Sequence, residues 1–365
     1  MEEPVKVLEM IASLNYGGSQ AMIVNLCRAM DRSKVQCDFI VDHPELMGMK
    51  EIVESLGSKI YIMPTFHGMN VKEIKDAWND FFVEHPDYQI LHSHSRSYAS
   101  IYLPIAKKHG LKTIIHSHNT SNGKGFTALV KNLLQYPLRK RADYFIGCSK
   151  EAGEWLFGDE IVKSDRFYVL NNAIDTNRFV FNENIRREYR EKFNLSDEKV
   201  FIQVGRMSQQ KNYLFSINTF ADYLKEDPSA RLFLVGNGEL REAIENRVEE
   251  LHIGNSVTIL QYRNDVDCLL QMADCFLMPS LFEGLSVAAV EAQASGIRCL
   301  LSNRCDRNVN ITGLCEFLPL EKEAWILKMK EDPTLRPYTK EDIIKAGFDV
   351  NTTAKWLEDF YRSIA

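Results

Sequence analysis

Two carboxylates, Glu283 and Glu291, stand eight positions apart in this 365-residue chain. The apolar run Cys275-Phe276-Leu277-Met278 precedes them and predicts a buried parallel strand, whereas residues 287–293 predict a helix. We therefore expect Glu283 in the loop at the carboxyl end of a strand, and Glu291 one to two turns into the helix. Carboxylates accept hydrogen bonds, so both can bind the hydroxyls of a ligand.

The predicted start of that helix lies between the two carboxylates. Unpaired N–H groups and the helix dipole favour an anion at such a place. The residues of this predicted cradle are Gly284, Leu285, Ser286 and Val287. One loop can thus present two hydroxyl-binding groups with a phosphate cradle between them, and this arrangement suits a sugar nucleotide.

A pair of cations follows the first strand predicted in the second half of the chain. Arg206 and Lys211 lie five residues apart in the segment Gly205-Arg206-Met207-Ser208-Gln209-Gln210-Lys211-Asn212. Arg can form a planar fork to phosphate oxygens and Lys supplies a point charge, so together they can stabilise a diphosphate leaving group. The alternative is a pair of solvated surface cations, but this pair stands at the carboxyl end of a strand.

A glycine pair, Gly17 and Gly18, follows the first predicted strand and opens a helix over residues 20–30. Glycines let the backbone approach a ligand closely, and the helix N-terminus favours the ligand's phosphate. A tight turn without ligand contact is an equal alternative. The pattern is not G-x-G-x-x-G, so dinucleotide binding is not favoured.

Four histidines end two neighbouring predicted strands, at His92, His94, His116 and His118. Because parallel strands end at one edge of a sheet, we expect these side chains to line one crevice. Acidic or cysteine ligands do not accompany them in sequence, so substrate contact is preferred to metal binding, and some are expected to make only structural hydrogen bonds. His118 is last on its strand and is the predicted substrate contact.

Strand-like apolar runs alternate with helical patterns along the chain, six in the first half and five in the second. This alternation predicts parallel, doubly wound α/β sheets. The length exceeds one ordinary core, so two Rossmann-like domains are predicted, at residues 1–178 and 179–349. An irregular stretch at 166–183 is the predicted linker, and a helix at about 350–365 is a candidate to pack back on the first domain.

Composition excludes several classes of protein. The 45% hydrophobic and 26% charged residues are typical of a globular chain. The eight cysteines follow no metal-ligand spacing and several lie in apolar runs, so we expect buried, reduced thiols and a cytoplasmic location. A signal pattern and an apolar run of roughly 18 residues are both lacking, so an integral membrane protein is not expected.

Basic residues are concentrated between positions 90 and 150. This segment contains ten Lys and Arg residues and one acidic residue, although the whole chain carries a net charge of −6. Apolar residues recur there at helical spacing and cations flank them: Phe126, Leu129, Val130, Leu133 and Leu134, with Lys131, Arg139, Lys140 and Arg141. Such a stripe predicts peripheral contact with an anionic membrane, although packing into a core is the commoner fate. A nucleic-acid-binding module is not recognisable, so nucleic acid is not an expected partner.

These motifs together resemble a retaining glycosyltransferase of family four, whose GT-B fold has two Rossmann-like domains that face a central cleft. The resemblance covers nearly the whole chain. It rests on the Gly17-Gly18 loop, HSHN at 116–119, NNAID at 171–175, GRMSQQKN at 205–212, VGNGEL at 235–240, LFEGLSVAAVEAQASG at 281–296 and the tail helix. Within the family the chain is most like the exopolysaccharide and capsule biosynthesis transferases of the EpsF type. Ser286 departs from the Gly or Pro of many members, and Arg298 stands where Pro is common.

The resemblance implies a role for each motif residue. Glu283 contacts the hydroxyls of the donor sugar, Glu291 contacts the ribose, and Arg206 and Lys211 hold the diphosphate. In the first domain, Gly18 approaches the donor phosphate and His118 lies beside the donor sugar. The nucleotide base is expected near three residues: Asn237, Tyr262 and Arg263.

The resemblance also implies the substrates. The expected donor is a UDP-hexose or UDP-N-acetylhexosamine, and the expected acceptor is a polyprenyl-diphosphate-linked saccharide. Neither a metal nor a cofactor is expected, and front-face attack of the acceptor retains the anomeric configuration. A UDP-sugar 2-epimerase of the same architecture and a non-catalytic sugar-nucleotide-binding protein are the alternatives.

Overall fold

The structure is a computed structural model that describes residues 3–15, 18–45, 47–96, 98–118, 135–331 and 336–365. The chain forms two compact units. The first contains Met1–Ala173 and Asp349–Ala365, and the second contains Ile174–Phe348. The sequence placed this boundary five residues later, but Ile174 is already buried in the core of the second unit.

The first unit is built on a seven-stranded parallel sheet with the order β3-β2-β1-β4-β5-β6-β7. Its strands are β1 Val5–Met10, β2 Val35–Val41, β3 Ile60–Ile62, β4 Ile90–Ser93, β5 Lys112–Ser117, β6 Tyr144–Gly147 and β7 Phe167–Val169. The order reverses between β1 and β4, and the carboxyl ends of strands at such a switch point are where doubly wound sheets bind ligands.

Helices cover both faces of this sheet. The described ones are α1 Gly18–Ala29, α2 Lys50–Ser55, α3 Val71–Glu84, α4 Ala99–Lys108, α5 Lys150–Phe157, α6 Asp159–Val162 and α15 Val350–Ile364, with a 3-10 turn at Tyr136–Lys140. Val7 and Ile90 belong to the core under α1, α2 and α15, whereas Leu8 and Leu91 belong to the core under α3, α4 and α5. Consecutive residues of a strand therefore serve opposite cores, as the two-residue period of a strand requires.

Helix α15 brings the last residues of this sequence into the first unit. Asp349 caps the helix by accepting a hydrogen bond from the amide of Thr352 at 3.0 Å. Leu357 and Tyr361 are fully or almost fully buried in the same core as α1. The first unit is thus completed by residues that follow the whole second unit in sequence.

The second unit is built on a six-stranded parallel sheet with the order β10-β9-β8-β11-β12-β13. Its strands are β8 Val200–Val204, β9 Arg231–Val235, β10 Val257–Leu260, β11 Cys275–Met278, β12 Arg298–Ser302 and β13 Cys315–Leu318. Its helices are α7 Thr176–Phe179, α8 Glu183–Lys192, α9 Tyr213–Tyr223, α10 Arg241–Glu250, α11 Val266–Met272, α12 Val287–Ala294, α13 Lys322–Met329 and α14 Lys340–Lys345, with 3-10 turns at Gln209–Lys211 and Arg307–Val309. The switch point of this Rossmann order lies between β8 and β11.

Two edge strands were missed by the sequence analysis. The predicted linker at 166–183 contains β7, and β13 was not predicted at all. β7 has only three residues, and two of the four residues of β13 are half-buried, so neither shows the long apolar run of a central strand. Arg298, where the family often has Pro, begins β12 and bonds Glu316 of β13 at 2.6 Å.

The predicted membrane stripe cannot be described in full, because residues 126–134 lie outside the described residues. Of the helices that the structure describes, none combines the length and the apolar character needed to cross a membrane. All eight cysteines are free and seven of them are buried, as expected for reduced thiols that serve as small hydrophobic side chains.

Candidate functional site

Two loops meet at the switch point of the second unit, because β8 and β11 are hydrogen-bonded neighbours. The first loop follows β8 and the second follows β11. The amide of Leu281 donates to the carbonyl of Gln210 at 2.8 Å, and the side chain of Asn212 donates to the carbonyl of Pro279 at 3.1 Å. These bonds fix the two candidate loops against each other at the carboxyl edge of the sheet.

Glycines allow the loops after β8 and β9 to approach closely. Gly205 and Gly236 have φ of +149° and +146°, values that a side chain disfavours. A Cβ on Gly236 would lie 1.9 Å from the carbonyl oxygen of Gly205. Tyr213 donates from its hydroxyl to that same oxygen at 2.7 Å, so the backbone under the cations is held rigidly.

Lys211 and Glu283 form an ion pair between the two loops. Lys211 Nζ lies 2.5 Å from Glu283 Oε2, and the side chains are only 16% and 14% exposed. The hydroxyl of Ser280 donates to the same carboxylate oxygen at 3.3 Å. The sequence placed both residues at strand ends, and the structure brings the proposed phosphate-binding cation and the proposed sugar-binding carboxylate into contact.

Arg206 has a different environment from Lys211. Its side chain is 74% exposed and contacts Glu239 at 3.1 Å. An exposed pair of this kind contributes little to stability and exchanges its partner easily. Arg206 is therefore free to swing toward an anion, whereas Lys211 is held in place.

Helix α12 begins between Glu283 and Glu291, at the place predicted from the sequence. Ser286 is the N-cap, but its side chain makes no capping hydrogen bond. Among the residues that the structure describes, no acceptor is paired with the amides of Leu285, Ser286 and Val287. A Cβ built on Gly284 would meet no atom within 4 Å, so there is open space beside these amides. The helix start can accept an anion.

Glu291 lies on the fifth residue of α12 and has an unusual acidity. Burial raises the pKa of Glu291 to about 7, while Arg178 lowers it and Asp267 raises it. Arg178 forms an ion pair with Asp267 at 2.8 Å, so the negative charge of Asp267 offsets part of the effect of Arg178 on Glu291. A carboxylate with this pKa changes its protonation state around neutral pH.

The three residues predicted near a nucleotide base lie after β9 and β10. Asn237 is exposed, and its side-chain oxygen accepts from the amide of Gly238 at 2.9 Å. Tyr262 is 46% exposed. Arg263 forms a bidentate ion pair with Asp265, at 2.7 Å and 2.5 Å. The guanidinium of Arg263 is thus engaged, which leaves its backbone as the part able to contact a base.

The four histidines of the first unit lie on one face, since each H-x-H pair has the two-residue period of a strand. The prediction that all four line an open crevice is wrong for two of them. His92 and His116 are 1% and 0% exposed, and their rings lie parallel with centroids 5.4 Å apart. Helix α15 covers His92, because the hydroxyl of Tyr361 on that helix lies 2.5 Å from His92 Nδ1.

Glu9 and Tyr361 organise these histidines. Glu9 Oε2 lies 2.8 Å from His94 Nε2, and Tyr361 donates to Glu9 Oε1 at 2.9 Å. His94 Nδ1 lies 2.8 Å from His118 Nε2. With Glu9 ionised, we assign donation from His118 to His94 and from His94 to Glu9. This leaves His118 Nδ1 as an acceptor.

Burial keeps the histidines neutral. It lowers the pKa of His92 and of His94 to about 3, and it holds the pKa of His116 and of His118 well below the ordinary value. His118 Nδ1 and both nitrogens of His116 make no hydrogen bond among the described residues. His92, His94 and His116 are close enough together to hold a metal ion.

Sequence reasoning missed Glu9 and Tyr361. A carboxylate in the middle of the apolar strand Val5–Met10 was the available signal for Glu9. Tyr361 gave no such signal, because its partner lies 352 residues away in the chain. Gly18 is the first residue of α1, and its glycine partner Gly17 lies outside the described residues.

The sequence profile described as "Glycosyltransferase Family 4" matches residues 16–178, and the one described as "Glycosyl transferases group 1" matches residues 185–312. The chain belongs to these GT-B glycosyltransferases. The two matched segments fall in the first and second units respectively. The family assignment favours sugar transfer over the epimerase and the non-catalytic alternatives.

Three relatives show what this glycosyltransferase is similar to. EpsF of Bacillus subtilis (strain 168), itself a glycosyltransferase by assignment only, is 28% identical over 98% of this chain and 96% of its own. The UDP-Gal:alpha-D-GlcNAc-diphosphoundecaprenol alpha-1,3-galactosyltransferase of Escherichia coli is 28% identical over 75% of each chain. The crystal structure of Anabaena HepE in complex with UDP superposes with a TM-score of 0.80 at 14% identity, over 98% of this chain and 100% of HepE. The likeness to HepE shows the shared fold.

Proposed function

We propose that this glycosyltransferase moves a hexose or N-acetylhexosamine from UDP to a polyprenyl-diphosphate-linked saccharide, with retention of configuration, in exopolysaccharide or capsule synthesis. One observation carries the proposal. The Lys211–Glu283 pair lies beside the free amides of α12, at the switch point of the second sheet. A cation, an anion-binding helix start and a hydroxyl-binding carboxylate are the groups that a nucleotide-sugar requires.

Donor binding exchanges the partners of the paired residues. Lys211 breaks its ion pair with Glu283 and binds the diphosphate of the donor. The carboxylate of Glu283 then accepts hydrogen bonds from the sugar hydroxyls. Arg206 leaves its exposed contact with Glu239 and adds a second cation. The amides of Leu285 to Val287 complete the set of donors, so positive charge surrounds the phosphate as it departs.

Transfer then needs little further chemistry from the protein. The acceptor hydroxyl attacks from the face that the nucleotide leaves, and the departing phosphate takes its proton, so the new bond has the configuration of the old one. His118 Nδ1, held as an acceptor, receives a hydrogen bond from a substrate hydroxyl. The two cations and the helix start supply the positive charge that a metal ion provides elsewhere, so we propose that the reaction requires no metal or other cofactor.

The relatives support the choice of substrates. HepE was crystallised with UDP, and the Escherichia coli relative transfers galactose from UDP-Gal to a sugar on diphosphoundecaprenol. These similarities favour a UDP-sugar donor and a lipid-linked acceptor. Asn237, Tyr262 and the backbone of Arg263 are the proposed contacts of the uracil.

Nucleotide binding tests the donor. In a panel of UDP-, GDP- and ADP-sugars, only the UDP-sugars should raise the melting temperature of the protein. A ligand that binds, at about 100 times its Kd, stabilises the folded state by about 2.7 kcal/mol. Stronger stabilisation by GDP-sugars would contradict the donor assignment.

Product analysis tests the transfer itself. The protein should transfer sugar to a diphosphate-linked saccharide, with the anomeric configuration of the donor preserved in the product's NMR spectrum. Activity should persist after treatment with EDTA. Inversion of configuration, or activity restored only by added metal, would each overturn that part of the mechanism.

We also propose peripheral contact between the first unit and an anionic membrane, at the cytoplasmic face. Lys140 and Arg141 are exposed beside Tyr136, which is 62% exposed. Arg141 also donates to the carbonyl of Ser100 at 3.0 Å, whereas Arg139 is less exposed, donates to the carbonyl of Leu156 at 3.3 Å and packs on Gly158. Cations at an anionic surface contribute about 1 kcal/mol each, so this patch assists binding.

Vesicle co-sedimentation tests the membrane contact. Binding should require anionic lipid, weaken with salt, and fall when Lys140 and Arg141 are both replaced by Glu. Arg139 is kept, because its packing would confuse the result. The matched control reverses two other exposed cations of the same unit, Lys163 and Arg166, and should bind as the wild type does. Binding that ignores salt or lipid charge would overturn the proposal.

A further inference from the structure

Arg96 is a largely buried cation that has no counter-charge among the described residues. It follows β4 at the carboxyl edge of the first sheet, and its Nη1 is fully buried without a hydrogen-bond partner. The guanidinium forms no ion pair or hydrogen bond with any described residue, and its Cζ lies 5.1 Å from the centre of the Trp155 ring. The aromatic face orients the guanidinium but does not neutralise it.

The ionisable groups around Arg96 cannot supply the missing charge. Burial raises the pKa of Cys148 to about 11, so that group is a neutral thiol near pH 7. The pKa of His118 is held well below its ordinary value, first by burial and then by His94, so the imidazole is neutral too. A buried charge without a partner is strongly unfavourable, and such a residue indicates a ligand of opposite charge.

Other polar atoms without partners lie at the same edge of the sheet. His118 Nδ1 follows β5, and Asn172 Oδ1 follows β7. Asn172 is near enough to raise the pKa of His118, yet no hydrogen bond of acceptable geometry joins the two side chains. The unit therefore offers a charged fork and two acceptors at the ends of three parallel strands, where sheets of this kind bind ligands.

We propose that Arg96 binds a phosphate of the acceptor's diphosphate in the first unit, while the acceptor atoms of His118 and Asn172 at the same edge receive hydrogen bonds from hydroxyls of the substrates. The inference rests on the proposed function, since that assigns the donor diphosphate to Lys211 and Arg206 and leaves the acceptor diphosphate without a cation. An arginine suits this task, because its planar fork donates two parallel hydrogen bonds to phosphate oxygens.

Direct binding tests the subsite without any turnover. Inorganic pyrophosphate is titrated calorimetrically into protein saturated with UDP, which occupies the donor site. The wild type should bind it, and Arg96→Gln should bind it about 10- to 100-fold more weakly, as expected for the loss of charge-assisted hydrogen bonds. Arg96→Lys should fall between them, because it keeps the charge but lacks the fork. Equal affinity in the wild type and Arg96→Gln, or no binding by either, overturns the proposal.

Arg166→Gln is the matched control. Arg166 also lies over an aromatic ring, with Cζ 5.4 Å from the centre of Phe145, but the residue is exposed. It should bind pyrophosphate as the wild type does. The melting temperature without ligand separates binding from folding. Arg96→Gln should melt no lower than the wild type, because it removes an uncompensated buried charge. A lower melting temperature together with weaker binding would make Arg96 a structural residue.

Two acceptors separate this inference from the proposed function. One carries the saccharide on an alkyl diphosphate, and the other carries the same saccharide directly on the alkyl chain. Arg96→Gln should raise KM about 10- to 100-fold for the diphosphate only, with kcat nearly unchanged. An equal effect on both acceptors contradicts the subsite. If the wild type glycosylates neither acceptor, the proposed function is wrong, and the pyrophosphate titration alone decides whether Arg96 is an anion site.

Discussion

The two units share a strand order but treat their charged residues in opposite ways. In the second unit each candidate cation has a carboxylate partner: Lys211 with Glu283, Arg206 with Glu239, and Arg263 with Asp265. In the first unit Arg96, His116 and His118 hold buried polar atoms that lack partners among the described residues. The candidate charged side chains at this edge of the sheet are thus paired internally in the second unit, whereas polar side chains of the first unit are left open.

The difference concerns how a ligand is accepted. A ligand of the second unit must displace a carboxylate from each of these cations that it contacts, so its net gain there is the difference between two similar interactions. A ligand of the first unit meets polar groups that have already lost their water, so each new contact is nearly all gain. Replacing one residue of an ion pair also leaves its partner unpaired, whereas replacing an unpaired residue leaves no other group without a partner.

The largest effect is expected from Lys211→Ala. It removes the buried cation at the leaving diphosphate and strands Glu283, so kcat/KM should fall by about two to three powers of ten. Arg206→Ala should lower turnover less, because Arg206 is exposed. Lys225→Ala, which breaks an exposed pair with Asp222 in the same unit, is the control and should leave turnover intact. An equal loss in Arg206→Ala would remove the distinction between the two cations.

Glu283→Gln should lower kcat about a hundredfold by misplacing the sugar. The amide keeps the shape of the side chain but offers one acceptor oxygen and releases Lys211 from its partner. UDP affinity, measured by calorimetry, should be retained or increased, because Lys211 no longer has to leave a carboxylate. Collapse of UDP affinity with turnover of bound donor preserved would reverse the roles of these residues.

His118→Ala should lower turnover by about tenfold or more, as the loss of one positioned hydrogen bond would. It belongs to the first unit, and all proposed nucleotide contacts except Gly18 belong to the second, so UDP affinity should be nearly unchanged. Steady-state kinetics and UDP titration of the same preparation make the comparison. An equal loss of UDP affinity would mean that His118 touches the nucleotide or supports the fold.

The pH dependence of UDP binding reports on Glu291. Its pKa of about 7 means that the carboxylate, which accepts ribose hydroxyls best, increases about tenfold in population between pH 6 and 8. UDP affinity should rise by up to that factor over this range. Glu291→Gln should bind more weakly at pH 8 and show a flat profile.

The stability of the ligand-free protein should show the opposite trend. The folded-state pKa of Glu291 lies above the ordinary value of 4.5, so its contribution to stability is greatest below pH 4.5 and is lost as the pH rises through about 7. Glu291→Gln should therefore melt at or above the wild type at pH 8. A melting temperature well below it would show that the carboxylate is stabilising, contrary to its raised pKa.

Glu9→Gln should have the smallest effect, a decrease in kcat of a few fold. The amide can no longer accept from both His94 and Tyr361 in the same way, so the tautomer of His118 is less firmly set. A double variant with His118→Ala should be no slower than His118→Ala alone. Additive losses would mean that Glu9 acts independently of His118.

Sequence patterns predicted strands with a continuous apolar run better than the short, partly buried strands β7 and β13. The bounds of β11 were predicted correctly, because central strands of parallel sheets are continuous apolar runs. β7 and β13 were missed, since edge strands are short and only partly buried. The loops after β8 and β11 were found because glycine, cations and carboxylates there follow recognisable strands.

Pairing and burial were beyond the sequence. Nothing in the spacing of Lys211 and Glu283 indicates that they form an ion pair. Likewise, the sequence around Arg263 does not indicate that its guanidinium is paired with Asp265. The histidines were expected on a crevice, but α15 covers His92 through Tyr361, which lies 269 residues away in sequence. Long-range contacts of this kind depend on the whole fold rather than on local pattern.

The return of α15 to the first unit has a consequence for the order of folding. The second unit, Ile174–Phe348, is continuous in sequence and can complete its core as soon as it has left the ribosome. The first unit is synthesised earlier but lacks Leu357 and Tyr361 until residues 350–364 have been made, so Glu9 and Cys27 remain without their cover while the second unit folds. The part made first is therefore expected to mature last, and in that interval its exposed core is the part of the nascent chain that most needs a chaperone.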